Sequence, residues 1–202
     1  MARSPVMEAD TAMRLTLNVR NIRLTDDQFY RLCCDNPELR IELTADGDLI
    51  VMSPTKPGTG RRNAIITGQL YIWTRADGTG ECFDSNSEFS LPNGAKRAPD
   101  ASWISNERWN RLPKEEREDK FSAICPDFVV ELRSPSDNLT DVRSKMEEYI
   151  ANGAKLGWLI DPIENRATIY RPGQLPQEIE EPANISGDPV LPGFNFNFKE
   201  IL

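Results

Sequence analysis

A mixed α/β domain, with helices packed against a sheet, is the fold class that three features of the sequence predict. Period-two apolar runs recur, as in "LRIELTADGDLIVMSP" and "DFVVEL". Two longer stretches, "TGRRNAIITGQLYIWTR" and "NLTDVRSKMEEYIANG", carry apolar residues at helical spacing instead. The chain of 202 residues has the length of one domain with a sizeable core.

The elements follow in order. Residues 1–24 read as a partly ordered lead with one strand in "RLTLNV", and residues 25–202 as a single domain. "LTDDQFYRLCCDNP" predicts a short helix, because Thr25 can cap its start with Gln28 at the capping-box position and Pro37 follows its end. Asp46-Gly47 then suits the tight turn of a hairpin over "LRIELTADGDLIVMSP". From Thr59 to Arg75, Ile65, Ile66, Leu70 and Trp73 share a helix face that is expected to pack on that hairpin. Strands follow at "GECFDS", "EFSLP" and, after the turn-like "PNGAKR", at "APDASWIS". "NERWNRLPKEEREDK" reads as a solvated helix and loop. The strand "DFVVELR" leads through "SPS" to a helix that Asn138 can cap and Asn152-Gly153 can close, with Leu139, Val142, Met146, Tyr149 and Ile150 as its apolar stripe. "LGWLIDP" and "RATIYRP" predict a hairpin, and "GDPVLPGFNFNF" a last edge strand.

Composition narrows the chemistry. The chain has no histidine, which removes imidazole as base, nucleophile partner and metal ligand. Cys33, Cys34, Cys82 and Cys125 show no C-x-x-C spacing and read as reduced thiols packed in the core. Carboxylates, lysine, arginine, hydroxyls and a borrowed cation remain. A net charge of −8 gives no overall basic footprint for a polyanion, although Arg61-Arg62 and Lys96-Arg97 form short basic groups. No apolar run approaches the ~18 residues of a membrane span, and "MARSPVMEADTAMRLTLNV" lacks the apolar core of a signal peptide. No membrane partner and a cytoplasmic location are therefore expected.

Strand alternation places Asp127, Val129, Glu131 and Arg133 on one face and Phe128, Val130 and Leu132 on the other. Glu131 then lies next to core, where an ionised carboxylate needs a cation or strong donors. Arg133 or another basic side chain can supply a structural ion pair; a divalent metal is the alternative. Asp100 begins a strand directly after Pro99, a dipeptide that also serves as an ordinary turn. Ser134 and Ser136 have no evident base partner and read as organisers of the turn.

An Asp at a strand start, a Glu within a later strand and a capped helix after it resemble the arrangement of the PD-(D/E)XK nuclease superfamily. Within it, "IELTADGDLIVMSP", "TGRRNAIITGQLYIW", "APDASWIS", "PDFVVELRSPSDNLTDVRSKMEEYIANGAKLGWLIDP" and "VLPGF" resemble the putative restriction endonuclease family, also called the Uma-two family. The resemblance runs from Thr25 to the C-terminus. It implies a restriction-endonuclease-like fold, a central mixed β-sheet flanked by helices with extra strands at both ends. It also implies Asp100 and Glu131 as metal-binding carboxylates, the Leu132 backbone carbonyl as a further ligand, Mg²⁺ or Mn²⁺ as the cofactor, and DNA as the substrate. A divalent ion there offsets charge on a phosphate and acidifies a water. A homodimer would suit cutting of both strands.

One position departs from the superfamily pattern: Arg133 stands where a lysine is expected, and its very high pKa makes it a poor proton acceptor. The family pattern offers Lys145, on the following helix, as the catalytic replacement. Lys145 and Arg143 border opposite sides of the apolar stripe, so helix geometry alone does not choose between them, and an ion pair of Lys145 with Asp141 or Glu148 is the bland alternative. Glu42 matches a glutamate of the family motif and reads as an accessory carboxylate or as half of a cross-strand salt bridge. The leading function is a metal-dependent DNA endonuclease; the rivals are a non-catalytic binding module of the same fold and a two-carboxylate glycosidase.

Overall fold

The computed structural model describes residues 14–202, so residues 1–13 of the expected lead lie outside the described residues. Strand β1 (Arg14–Asn18) precedes helix α1 (Asp26–Asp35), and the hairpin β2 (Arg40–Leu43) and β3 (Asp48–Met52) follows. The capping box forms: the Thr25 hydroxyl accepts the Gln28 N–H and the Gln28 side chain accepts the Thr25 N–H. Gly47 takes a φ of 87° in the hairpin turn, a backbone angle that a Cβ would oppose. β1 pairs antiparallel with β3, which ties it to the hairpin.

Helix α2 (Pro57–Asp77) leads to β4 (Gly80–Asp84), β5 (Phe89–Ser90), β6 (Lys96–Arg97) and β7 (Ala101–Ser105). Two short charged helices, α3 (Asn106–Trp109) and α4 (Lys114–Glu118), precede β8 (Phe128–Leu132). Helix α5 (Leu139–Ala151), capped by the Asn138 side chain, connects β8 to β9 (Leu156–Asp161). β10 (Arg166–Tyr170) and β11 (Gln177–Glu180) continue the sheet, and β12 (Asn184–Ser186) pairs with β13 (Asn195–Asn197).

Two sheets carry the architecture, one in the order β1-β3-β2-β6-β5 and one in the order β11-β10-β9-β8-β7-β4. Within the second, β8 and β9 run parallel, which requires a crossover, and α5 supplies it. Phe128, Val130 and Leu132 point into one core with Ile66, Leu70, Trp103 and Trp158; Val129 points into another with Met146, Tyr149 and Leu159. The strand alternation read from the sequence therefore holds from Phe128 to Leu132, and all five residues of β8 are buried, one face under α5 and the other in the cluster that α2 shares with the C-terminal Phe194, Phe196 and Phe198.

Two expectations need correction. The apolar face of α2 packs on the six-stranded sheet, not on the hairpin: Ile66 and Leu70 share a core cluster with Trp103 and Trp158 of that sheet. Lys96 and Arg97 are not only a turn, since they form β6 between β2 and β5. The tail does supply a last edge strand: β13, three residues long, pairs with β12 in a separate two-stranded ribbon. Among the described residues, no helix is long and apolar enough to cross a membrane.

Candidate functional site

At the end of β8 the ladder to β7 stops, while the pairing with β9 continues. Ala101 lies opposite Val130, so extending the register by two residues sets Pro99 opposite Leu132. Proline has no N–H to donate, and the Leu132 N–H instead donates to Asp100 Oδ2 at 2.8 Å. Within an extended strand the N–H and C=O of one residue face the same side, so the Leu132 carbonyl faces the Asp100 edge with no ladder donor from Pro99. The Pro-Asp pair thus does two things: it breaks the ladder and it fixes the Asp100 carboxylate beside β8. Asp100 Oδ1 accepts from Asn63 Nδ2 of α2 at 3.1 Å and lies 3.8 Å from the Arg40 guanidinium.

Glu131 uses its two oxygens unequally. Oε1 accepts the Tyr149 hydroxyl at 3.0 Å and lies 2.9 Å from Lys145 Nζ. Among the described residues, no hydrogen bond reaches Oε2. Burial, reinforced by the nearby Asp100 and Glu42 carboxylates, pushes the Glu131 carboxyl up to about 7 against the pull of Lys145.

Lys145 reaches this carboxylate from the middle of α5. Its Nζ donates to Glu42 Oε1 at 2.8 Å as well, and it sits 5.9 Å from the ring centroid of Tyr149, one turn on. Burial alone would lower its pKa, but the Glu131 and Glu42 carboxylates outweigh burial and raise it. The ammonium is therefore held charged. The bland pairing with Asp141 or Glu148 is not the one these bonds describe.

Glu42 acts as counter-ion rather than as a member of a carboxylate cluster. Its Oε2 accepts from Arg97 at 3.1 Å and its Oε1 from the Ala98 N–H at 3.2 Å. Burial would push it up, yet Lys145 and Arg97 overrule burial and hold it at about 2. Arg97 continues the chain to Glu148 at 2.6 Å. Both sequence readings of Glu42 were open; the geometry makes it the salt-bridge partner of two cations.

Arg133 is placed elsewhere. β8 ends at Leu132, the alternation that aligned Arg133 with Glu131 ends with it, and the guanidinium pairs with Asp161 of β9 at 2.5 Å. Ser134 and Ser136 share a 3.0 Å hydrogen bond and the Ser134 N–H donates to Asp137, so this segment is the organised turn that its residues predicted.

Asp100, Glu131, Leu132, Glu42 and Lys145 all line one cleft of about 600 Å³ between the hairpin, β8 and α5; Arg133 does not. Seven acidic and four basic residues line it. Among the described residues, no group of three or more Asp, Glu, Cys or His side chains could hold a metal ion. A cation at β8 would draw on two carboxylates, one of them with an unspent oxygen, the Leu132 carbonyl, and water or ligand oxygens. Such hard donors suit a hard divalent ion that keeps part of its hydration shell.

Asn63, Arg40 and Tyr149 are site residues that reading the sequence missed. Tyr149 was assigned to the apolar stripe of α5, which is right for its ring. The signal available was that a buried tyrosine hydroxyl usually has a partner.

The family model for Uma2, described as "Putative restriction endonuclease", matches residues 26–199. Among solved structures, this chain is similar to a putative nuclease belonging to DUF820 from Anabaena variabilis ATCC 29413. The identity is 22%, the TM-score 0.71, and the alignment covers 88% of this chain and 97% of that one, a likeness of fold. The search of curated proteins found no match.

Proposed function

The chain belongs to the Uma2 family, and we propose that it is a metal-dependent endonuclease that hydrolyses phosphodiester bonds in DNA. The observation that carries this reading is the 2.9 Å approach of Lys145 to Glu131, beside an Asp100 already fixed against the same strand end. A charged donor and two carboxylates thereby face one cleft from three separate elements.

Asp100, Glu131 and the Leu132 carbonyl are the residues that would hold Mg²⁺ or Mn²⁺. Such an ion, when bound, supplies positive charge to the phosphate and lowers the pKa of a water. The chain's own contribution is positioning and charge. With more acidic than basic residues lining it, the cleft favours a phosphate only after added positive charge offsets the carboxylates.

Lys145 acts as a hydrogen-bond donor and not as the base, because its flanking carboxylates keep it protonated. Its N–H groups can orient a water or meet the charge that develops on phosphate oxygens. Glu42, itself held by Arg97, anchors the ammonium, and Tyr149 restrains the Glu131 oxygen that faces it. Arg133, spent on Asp161, takes no part.

Cleavage of single-stranded, duplex and branched DNA by the purified protein with Mg²⁺ or Mn²⁺ tests this reading. Nicking or cutting of at least one substrate, lost in Asp100→Asn and in Glu131→Gln with the fold intact by circular dichroism, is the expected result. All three substrates remaining intact would overturn it and favour the non-catalytic module.

A further inference from the structure

A second hollow of about 730 Å³ adjoins the cleft, and Thr55 lines both. One wall is a face of α2 that includes Asn63, Gly68 and Tyr71; the other is β4, an edge strand, with the turn that follows it. Asn63 joins the two spaces chemically. Its Nδ2 donates to Asp100 Oδ1 at 3.1 Å, while its Oδ1 is buried without a hydrogen-bond partner.

Charge decides what can enter. No lysine or arginine is among the residues lining the hollow, and Asp84 adds a carboxylate, so a phosphate is unfavourable there. A neutral ring with polar edges suits it better. Tyr71 is 55% exposed and presents an aromatic ring, and Thr67, Ser85 and Ser87 bring hydroxyls. Gly60 and Gly68 belong to the same helix face, and a Cβ at either would meet nothing within 4 Å. Glycine within a helix is destabilising relative to alanine, and neither internal packing nor a positive φ requires it at these positions. Close approach by a ligand supplies a reason for both.

We propose that this hollow receives an unpaired nucleobase of the substrate strand, next to the phosphate held in the cleft. The inference rests on the endonuclease reading and deepens it. The base stacks on Tyr71, and its polar edge meets the Thr67, Ser85 and Ser87 hydroxyls, while Asn63 ties this wall to Asp100. Stacking on Tyr71 uses a face of the base that its neighbours cover in a duplex, so single-stranded, gapped or mismatched DNA is preferred over intact duplex.

Fluorescence anisotropy separates the alternatives, with a short single-stranded deoxythymidine oligonucleotide, a matching abasic strand and Ca²⁺ in place of Mg²⁺ or Mn²⁺, to supply the positive charge that the cleft needs while limiting cleavage. The expected result is about tenfold tighter binding of the base-bearing strand, a difference lost in Tyr71→Ala and in Gly68→Gln. Gly68→Gln places a long side chain on the α2 wall and should raise the thermal midpoint by about 2–4 °C, which separates blocked binding from misfolding. Equal affinity for the two strands, no binding of either, or discrimination that survives both variants would overturn the proposal. Equal affinity alongside intact DNA cleavage would remove the hollow's role alone; discrimination without cleavage would instead remove the catalytic reading.

Discussion

Lys145 Nζ lies 2.9 Å from Glu131 Oε1, although the two residues come from different elements and are separated by a turn and half a helix. Val129 of β8 and Met146 and Tyr149 of α5 share a core cluster, and this packing brings the lysine to the strand. Lys145→Ala should lower kcat by about 10²–10³, as removal of a preorganised donor does elsewhere. Arg133→Ala should keep most activity yet cost about 1–3 kcal/mol of stability, because Asp161 loses a charged partner. Steady-state kinetics and urea denaturation of the two variants check both outcomes, and the reverse assignment of losses would return the lysine role to Arg133.

Glu42 is a sensitive position for stability. Its folded carboxyl sits at about 2 against an ordinary value of 4.5, so the proton is bound more weakly in the folded chain. The resulting stabilisation is complete above 4.5 and is lost as pH falls through 2. Glu42→Gln should cost about 3 kcal/mol at neutral pH, since Lys145 and Arg97 lose a buried counter-ion. The deficit should shrink in acid; equal deficits at neutral and acid pH would show that charge is not the cause.

Tyr149→Phe removes one hydroxyl and leaves the ring in its cluster. Glu131 Oε1 then keeps Lys145 but loses the 3.0 Å hydrogen bond that restrains it. Manganese affinity, read by calorimetric titration, should fall by about 10- to 100-fold, as for other partners that orient a ligand. An unchanged affinity would make the hydroxyl a structural feature only.

Glu88 gives a separate pH signature. Burial, with Glu42 adding to it, pushes its carboxyl up to about 8 against the opposing Lys96, Arg40 and Lys145. The folded chain therefore keeps a proton that the unfolded chain releases at the ordinary 4.5, so stability declines as pH rises from 4.5 through 8. Glu131 contributes to the same decline up to about 7. Glu88→Gln has no such proton to lose and should flatten the segment between 7 and 8 in thermal melts of chelator-treated protein. A variant that declines as steeply as the wild type would contradict this assignment.

Much of this arrangement was legible in the sequence because it is local. Thr25 and Gln28 announced the start of α1, Asn138 that of α5, and alternation along β8 put Val129 and Glu131 opposite Phe128, Val130 and Leu132. Asp100, Glu131 and Lys145 were named through the family resemblance, and they line one cleft. What stayed hidden depends on distant partners. Periodicity shows which face of α2 is apolar but not which sheet receives it. Arg133 was aligned with Glu131 by a rule that holds only inside a strand, and β8 stops one residue earlier. Tyr149 could be read as core from its spacing, whereas its bond to Glu131 depends on how α5 meets β8.

Diffraction from a crystal equilibrated with Mn²⁺, recorded where manganese scatters anomalously, tests the central claim most directly. The expected result is an anomalous peak bounded by Asp100, Glu131 and the Leu132 carbonyl at about 2.0–2.2 Å, the range for a small hard cation on oxygen, and absent in Asp100→Asn. No peak at that position, with Lys145 still seated on Glu131 at saturating manganese, would contradict it.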